Sequence, residues 1–252
     1  MWKFINASVI GTSHLDSGAP CQDKSIVAVA TGENGDPYLV CLAADGAGSA
    51  ANGGRGAELA CTTGMAFLTS AIQDARRFHT DLIGEVIARI RSAIFQEARK
   101  ATHSRRDYAC TFIGAVLGSS MSIFFQIGDG AVVVSKNNTY GVVFWPDAGP
   151  YANMTHFITD DDAFANLHVE TSDTCFDGMA IFSDGLQYLA LVFKQQIPHV
   201  PFFHPMLETL GKIPRRNIED LKTKLVRFLE SRGVNERTDD DKTLILAAKA
   251  EE

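Results

Sequence analysis

Acidic residues stand at the ends of several apolar segments in this sequence. Apolar runs end at Asp45, Asp129 and Asp184, another run begins just after Asp240, and Asp23 precedes a fifth. Carboxylates at the ends of neighbouring strands would meet at one sheet edge and repel one another, so a cation is their natural partner. Because these ligands offer only oxygen, they favour Mg²⁺ or Mn²⁺. The pattern therefore predicts a divalent metal site.

Three of these acids are followed by glycine, and an Asp-Gly pair is also common in tight turns. A turn explains Asp129 as well as a metal does, because an apolar run follows at once and the two runs would form a hairpin. A turn does not explain Asp45, which precedes a glycine-rich segment and a helical pattern, or Asp184, which precedes GLQYLALVF. Gly46 has a further reason to lack a side chain, since its carbonyl could then approach an ion.

Runs rich in Val, Ile and Phe predict the strands that must position these acids. The runs are ASVIGTS, SIVAVAT, YLVCLAAD, CTFIGAVLG, SIFFQIGDGAVVVSK, YGVVFWP, GMAIFSDG and KTLILAAK. Helical spacing of apolar residues marks Gly56–Ala75, Asp81–Ala101 and Ile218–Arg232. Asn217 is suited to cap the last helix and Gly233 to end it. Helices in blocks around clustered strands favour an α+β fold with antiparallel sheets over an alternating α/β sheet.

Two polar or proline-marked segments are interpreted as loops. Pro146–Asp177 has weak periodicity, which predicts a long loop or a small insertion over a site. Within it, Thr159–Phe164 (TDDDAF) is interpreted as a solvated loop or helix start. The segment IPHVPFFHP, with His199 and His204, is interpreted as a loop rather than a zinc site.

The bulk composition argues against several classes of protein. The 252 residues, 46% of them hydrophobic, suffice for one sizeable core. The net charge of −7 argues against nucleic-acid binding, which normally needs a basic surface. The start lacks a signal-peptide pattern, and no run approaches about 18 apolar residues, so we expect a cytoplasmic protein that does not bind membranes. The five cysteines never form a C-x-x-C pair and are expected to be reduced thiols.

The order of the motifs resembles that of a known family. GTSHLDSGAPCQD, AADGAGSAANGGRGAELA, CTFIGAVL, IGDGAVVV, AIFSDGL and DDKTLILA follow one another as in metal-dependent serine/threonine protein phosphatases of the protein phosphatase 2C type, especially the compact bacterial branch. The similarity runs from about Gly11 to Ala247. It implies a single catalytic domain over residues 1–252, built as a four-layer α/β/β/α sandwich of two antiparallel sheets flanked by helices.

The resemblance also implies roles for the acids. Asp45 would bridge two Mg²⁺ or Mn²⁺ ions, with the Gly46 carbonyl on one of them. Asp184 and Asp240 would bind the other ion. Asp129 would join Asp184 at a third, weaker ion.

Further roles enter through the same resemblance. Asp23 would hold a metal-bound water. His14, in the first motif, could contact phosphate, although a hydrogen-bonded structural role explains it equally well. Arg55 is another phosphate candidate, with a solvated surface arginine as the alternative. Asp241 would lie behind the ligand Asp240 and not on the metal.

The implied reaction is hydrolysis of phosphoserine or phosphothreonine by direct attack of a hydroxide that bridges the two ions, without a covalent phosphoenzyme. Phosphorylated proteins would be the substrates, and a serine/threonine kinase would be the opposing enzyme.

Two positions depart from the family pattern. Gln22 stands where the family often has Glu, so an amide replaces a carboxylate near the second ion. Ala47 stands where some members have a His proposed as general acid. These changes leave open a weakly active member that serves as a phosphoprotein-binding or regulatory module. A phosphatase for small phosphorylated metabolites is a third alternative.

Overall fold

A computed structural model describes residues 1–33, 35–74, 80–146 and 155–250 of the chain. Within these ranges the strands are β1 Trp2–Val9, β2 Lys24–Thr31, β3 Pro37–Ala44, β4 Phe112–Leu117, β5 Ser122–Ile127, β6 Ala131–Lys136, β7 Thr139–Phe144, β8 His168–Ser172, β9 Gly178–Phe182, β10 Leu191–Val192, β11 Ile197–Pro198 and β12 Lys242–Lys249. The helices are α1 Thr12–Ser17, α2 Gly53–Gln73, α3 Thr80–Ala101, α4 Gln187–Ala190, α5 Val200–Lys212, α6 Ile218–Leu229 and α7 Arg232–Asn235.

The strands form two five-stranded antiparallel sheets and one small pair. The first sheet has the order β1-β12-β9-β6-β7, and the second has the order β2-β3-β4-β5-β8. Helices α5 and α6 pack on the outer face of the first sheet, and α2 and α3 cover the second. The predicted α+β fold, a sandwich of two antiparallel sheets between helices, is confirmed.

Apolar side chains fill all three interfaces between these layers. Between the sheets lie Leu39 and Ile113 from the second sheet and Ile181 and Ile245 from the first, all buried. The remaining strand faces pack against the helices, which makes the central strands apolar on both sides. Every residue of β4 and β9 is buried for this reason.

The predicted hairpin around Asp129 is wrong. The strands on either side of it, β5 and β6, belong to different sheets, so the segment from Gly128 to Gly130 crosses the sandwich. Gly128 has a φ of +113°, and a Cβ atom there would lie 2.6 Å from the side chain of Thr111. Glycine is therefore needed at this crossing, and the turn-like Asp-Gly pattern does not reveal that the chain changes sheet.

Helix α5 occupies the proline-marked segment that was predicted to be a loop. Pro201 lies in the first turn of the helix, where its missing N–H is not needed. Phe203, Leu207 and Leu210 follow at helical spacing and are buried against the first sheet. Burial of this face outweighs the interior proline, Pro205.

Other predicted boundaries also differ from the structure. Gly11–Ser13, predicted as the end of a strand, leads into α1 instead. Helix α6 ends at Leu229, and Gly233 lies inside α7 rather than stopping a helix. The predicted loop Pro146–Asp177 contains strand β8, and its residues 147–154 lie outside the described residues.

The interface between the sheets should dominate stability. Ile245→Ala should lower the free energy of unfolding by about 2–5 kcal/mol, because a buried side chain is lost and the core cannot collapse fully. Val29→Ala, at a side chain that is 50% exposed, is the control and should cost less than about 1 kcal/mol. Urea denaturation checks both, and equal losses would contradict the assigned core.

Candidate metal centre

The pairing of β2 with β3 places two acids side by side. Asp23 precedes β2, Asp45 follows β3, and the antiparallel register pairs Lys24 with Ala44 at this end. Asp45 lies within hydrogen-bonding reach of Asp23. The second sheet therefore contributes two carboxyl groups at one point on its edge.

The first sheet contributes the other acids at its matching edge. Phe182, the last residue of β9, pairs with a residue near the start of β12 and with the first residue of β6. Asp240 before β12, Asp184 after β9 and Asp129 before β6 therefore come together. Asp184 is also within hydrogen-bonding reach of Asp45, which joins the two groups. The acidic cluster consists of Asp23, Asp45, Asp129, Asp184 and Asp240.

Burial and mutual repulsion make these carboxyl groups hard to ionise. Burial, followed by the charges of Asp23 and Asp184, raises the pKa of Asp45 well above its usual range. Burial raises the pKa of Asp23 to about 7, and burial together with the charge of Asp129 raises the pKa of Asp184 to about 6. Burial and Asp184 also raise the pKa of Asp240. A bound cation would relieve this repulsion.

The donor set fits a hard divalent cation. Oδ1 of Asp23 and Oδ1 of Asp184 are buried and accept no hydrogen bond within the described part of the chain. Asp23 is 1% exposed, and its other oxygen accepts a hydrogen bond from Ser183 Oγ at 2.7 Å. Buried carboxylate oxygens without donors are costly unless an ion coordinates them. The acidic cluster thus suits Mg²⁺ or Mn²⁺.

The structure distinguishes two neighbouring acids that the sequence presents together. Asp241 is 2% exposed and accepts hydrogen bonds at 2.6 Å from the backbone N–H groups of Gly11 and Gln22. One of its oxygens also lies 2.9 Å from His14 Nδ1, without hydrogen-bond alignment. Both carboxylate oxygens of Asp241 are therefore engaged by hydrogen-bond donors of the protein. Asp240, whose Oδ1 accepts only a backbone N–H at 2.8 Å, is the one left for an ion.

Lys242 holds the segment around Asp240 in place through hydrogen bonds, a role that the sequence analysis did not predict. Its side chain is fully buried, and Nζ donates to the carbonyls of Ile10 and Asp240, each at 3.3 Å, and to Asn235 Oδ1 at 3.0 Å. Burial lowers its pKa. A lysine at the start of an apolar strand was the available signal, since a lysine is almost never buried without partners.

Gly46 is required by packing, whatever its carbonyl binds. A Cβ atom on Gly46 would lie 2.3 Å from the carbonyl carbon of Gly53 and 2.6 Å from Gly54 N. The first turn of α2 therefore presses directly on the residue after Asp45. This contact explains why Gly46 and Gly53 are glycines.

The sequence matches one protein family over most of its length. A family model described as protein phosphatase 2C matches residues 10–230. The chain belongs to the protein phosphatase 2C family. The resemblance read from the motifs is thereby confirmed.

Known relatives of this phosphatase agree with the assignment. Serine/threonine-protein phosphatase 3 of Escherichia coli (strain K12) is 41% identical over 251 residues, which cover 99% of each chain. Serine/threonine phosphatase Stp1 from Staphylococcus aureus has a TM-score of 0.63 at 14% identity, covering 100% of this chain and 96% of that one. The catalytic domain of the phosphatase PstP, solved with two manganese ions, has a TM-score of 0.63 at 12% identity and 99% coverage of both chains. The solved structures share the fold.

The cysteine of the first motif is unsuited to nucleophilic attack in this phosphatase. Burial, then the charges of Asp241 and Asp23, raises the pKa of the Cys21 thiol to about 12. The thiolate is the reactive form of cysteine. At neutral pH Cys21 is therefore a neutral thiol.

The second phosphate candidate lies in a surface ion-pair network. Arg55 of α2 contacts Glu58 at 2.9 Å and Glu97 at 2.9 Å, and its side chain is 44% exposed. These carboxylates already satisfy the guanidinium. The geometry favours the surface alternative for Arg55.

A second group of ligand-type side chains lies in and just before Thr159–Phe164, the segment predicted as a solvated loop or helix start. His156, Asp160 and Asp162 each offer a ligand atom, and these atoms all lie within 4.8 Å of one another. Asp160 Oδ2 also accepts a hydrogen bond from Phe157 N at 2.8 Å, and Arg91 of α3 donates to two carbonyl oxygens of the segment. The H-x-x-x-D-x-D spacing was the available signal, but the irregular surroundings gave it no structural context.

No helix in the described ranges is both long enough and apolar enough to cross a membrane.

Removing one acid should stabilise the metal-free protein. Between about pH 4 and pH 7 the folded protein binds more protons than the unfolded chain, because the folded pKa values of Asp23 and Asp184 exceed the unfolded value of about 3.9. The free energy of unfolding contributed by these groups is therefore lost as pH rises through about 6–7. Asp184→Asn removes one repelling charge and should raise the melting temperature at pH 8 in chelator.

The exposed Asp36→Asn is the matched control and should leave the melting temperature nearly unchanged. A lower melting temperature for Asp184→Asn in chelator would contradict the repulsion inferred for the acidic cluster.

Asp240 and Asp241 should respond differently to the same substitution. Asp241→Asn places an amide against two backbone N–H donors and should lower the free energy of unfolding by about 1–3 kcal/mol without metal. Asp240→Asn should cost less than that, yet should remove most of the thermal stabilisation by Mn²⁺. Thermal unfolding with and without Mn²⁺ checks both. Mn²⁺ stabilisation that survives in Asp240→Asn would exclude Asp240 as a ligand.

Proposed function

We propose that this protein is a metal-dependent phosphatase that hydrolyses phosphoserine and phosphothreonine in proteins. The acidic cluster carries the proposal, because its buried, unpartnered carboxylate oxygens need a divalent cation. The relative at 41% identity, named a serine/threonine-protein phosphatase, supports the substrate class. An opposing serine/threonine kinase follows from that class.

The acids divide the ions between them in this proposal. Asp45, Asp184 and Asp240 would hold one Mg²⁺ or Mn²⁺, and Asp45 with the Gly46 carbonyl would hold a second. Asp129 would join Asp184 at a third, weaker ion. When bound, a pair of such ions lowers the pKa of water towards neutrality and stabilises charge on the phosphoryl oxygens. This chemistry would need no nucleophile from the protein, in keeping with the neutral thiol of Cys21.

In this proposal Asp23 orients water and holds a proton. Ser183 Oγ donates to one of its oxygens, and the same hydroxyl accepts a hydrogen bond from Thr243 N at 3.0 Å. This chain of hydrogen bonds fixes the carboxyl group of Asp23. Its other oxygen, Oδ1, accepts no hydrogen bond from the described residues and is left for a water.

His14 keeps two proposed roles, positioning Asp241 and contacting phosphate. Nδ1 faces Asp241, and the side chain is 16% exposed, so Nε2 is the nitrogen that a phosphate oxygen could reach. The leaving group must be protonated by water or another group, because Ala47 carries no ionisable side chain.

We further propose that residues 1–252 form one catalytic domain in the cytoplasm, acting on phosphorylated proteins and not on nucleic acid or membranes. The net charge of −7 supports the exclusion of nucleic acid. A weakly active, phosphoprotein-binding role remains the second candidate, because Gln22 replaces a carboxylate beside the cluster. A phosphatase for small phosphorylated metabolites is the third.

Activity should require both the metal and the acidic cluster. The natural chain should hydrolyse p-nitrophenyl phosphate with Mn²⁺ and lose that activity in chelator. Asp184→Asn should lower kcat/KM by at least about 100-fold, since groups that merely support ligands are worth about 10–100-fold. Asp36→Asn is the control and should behave as the natural chain. Turnover in chelator, or an active Asp184→Asn, would exclude the mechanism.

The same protein should then be offered phosphoserine, phosphothreonine and phosphotyrosine peptides and small phosphate monoesters. Faster release of phosphate from the first two peptides supports the proposed substrate class. Preference for a small monoester would favour the metabolite phosphatase, and binding of phosphopeptides without turnover would favour the binding module.

A further inference from the structure

Gln22 is held firmly beside the acidic cluster. Its backbone N–H donates to Asp241 Oδ2 at 2.6 Å. On the other side, a Cβ atom at Gly54 would lie only 3.1 Å from Gln22 Cα, so the first turn of α2 packs against this residue. The side chain of Gln22 thus projects from a backbone that is fixed on two sides.

The amide of Gln22 is directed at the backbone after Asp45. One terminal atom of the amide lies 2.9 Å from the carbonyl oxygen of Gly46 and 3.2 Å from that of Ala47. Among protein groups this atom faces only acceptors, so the amide is assigned with its nitrogen here, donating to both carbonyls. Gln22 therefore hydrogen-bonds to the Gly46 carbonyl, which was expected to coordinate an ion.

An amide N–H₂ group is a poor neighbour for a cation. Its nitrogen is not a metal ligand in this form, and its hydrogens carry partial positive charge. A cation that approaches the Gly46 carbonyl must share that oxygen with the N–H₂ group or displace it. Asp184 and Asp240 also present carboxylates near Asp45, and Asp184 Oδ1 has no donor among the described residues.

We infer that Gln22 caps the Gly46 carbonyl and makes the metal centre unequal. One divalent cation binds firmly among Asp45, Asp184 and Asp240, and a second binds only when the Gln22 amide turns away. This inference rests on the proposed metal centre. It makes Gln22 a residue that sets how activity follows the concentration of free Mg²⁺ or Mn²⁺.

A neutral substitution at Gln22 distinguishes an amide that blocks the Gly46 carbonyl from an amide that coordinates the second ion weakly. Gln22→Met keeps the length and charge of the side chain but removes both amide groups. If the amide caps the carbonyl, this change frees the Gly46 oxygen and should tighten binding of the second ion. If the amide oxygen instead coordinates the ion, the same change should weaken it.

Mn²⁺ titrations by calorimetry, with free Mn²⁺ followed by electron paramagnetic resonance, measure both sites without relying on turnover. The natural chain should bind one Mn²⁺ tightly and a second at least about tenfold more weakly. Gln22→Met should tighten the second site by about tenfold and leave the first unchanged. Gln22→Glu should tighten it further, because it adds a carboxylate. Gln96→Met, on the exposed surface of α3, should change neither site.

Two equal, tight sites in the natural chain would overturn the cap, as would a second site that is unchanged or weaker in Gln22→Met. Absence of any Mn²⁺ binding to the natural chain would overturn the metal centre itself, and the cap with it. The first two results leave the proposed phosphatase intact, so the two failures are distinguishable.

Discussion

Repulsion between buried carboxyl groups is the constraint on which this structure depends. Asp23, Asp45 and Asp184 lie within hydrogen-bonding reach of one another through Asp45, in surroundings that disfavour every added charge. No folded protein would gather these groups for stability alone, because neutral or apolar residues would pack there at lower cost. The arrangement is stable only because a large core on each side of the edge holds it in place. The strain at this edge is therefore the clearest mark of function in the molecule.

Residues next to the acidic cluster hold its carboxyl groups together despite their repulsion. Asp241 and Lys242 follow Asp240 directly, yet both are turned away from the cluster and bound to backbone groups. Asp241 accepts from the loop that carries Gln22, and Lys242 donates to the end of the first strand and to α7. In the run from Asp240 to Lys242, the first residue faces the acidic cluster. The other two hold the backbone of this run in position through hydrogen bonds. Gly46 and Gly53 add a third constraint by letting α2 approach without side chains between them.

Much of this was accessible from sequence, and the missing parts have a common cause. Asp45 and Asp184 could be recognised because each ends an apolar run and is followed by residues that do not make a hairpin. The chain path at Asp129 was mispredicted, because its Asp-Gly pattern is typical of a local turn and only the pairing of distant strands reveals a crossing between sheets. Helix α5 was hidden by its prolines, and its buried face depends on the first sheet. The burial of Lys242 and the direction of the Gln22 amide likewise depend on contacts far along the chain, which spacing alone does not contain.

The division of the acids between the two sheets has a mechanical consequence. Asp23 and Asp45 belong to one layer, whereas Asp129, Asp184 and Asp240 belong to the other. An ion bound by both Asp45 and Asp184 would link the two sheets at this edge of the sandwich. Loading the enzyme and aligning its two halves would then be a single event, so that part of the ion's binding energy is spent on holding the layers in register.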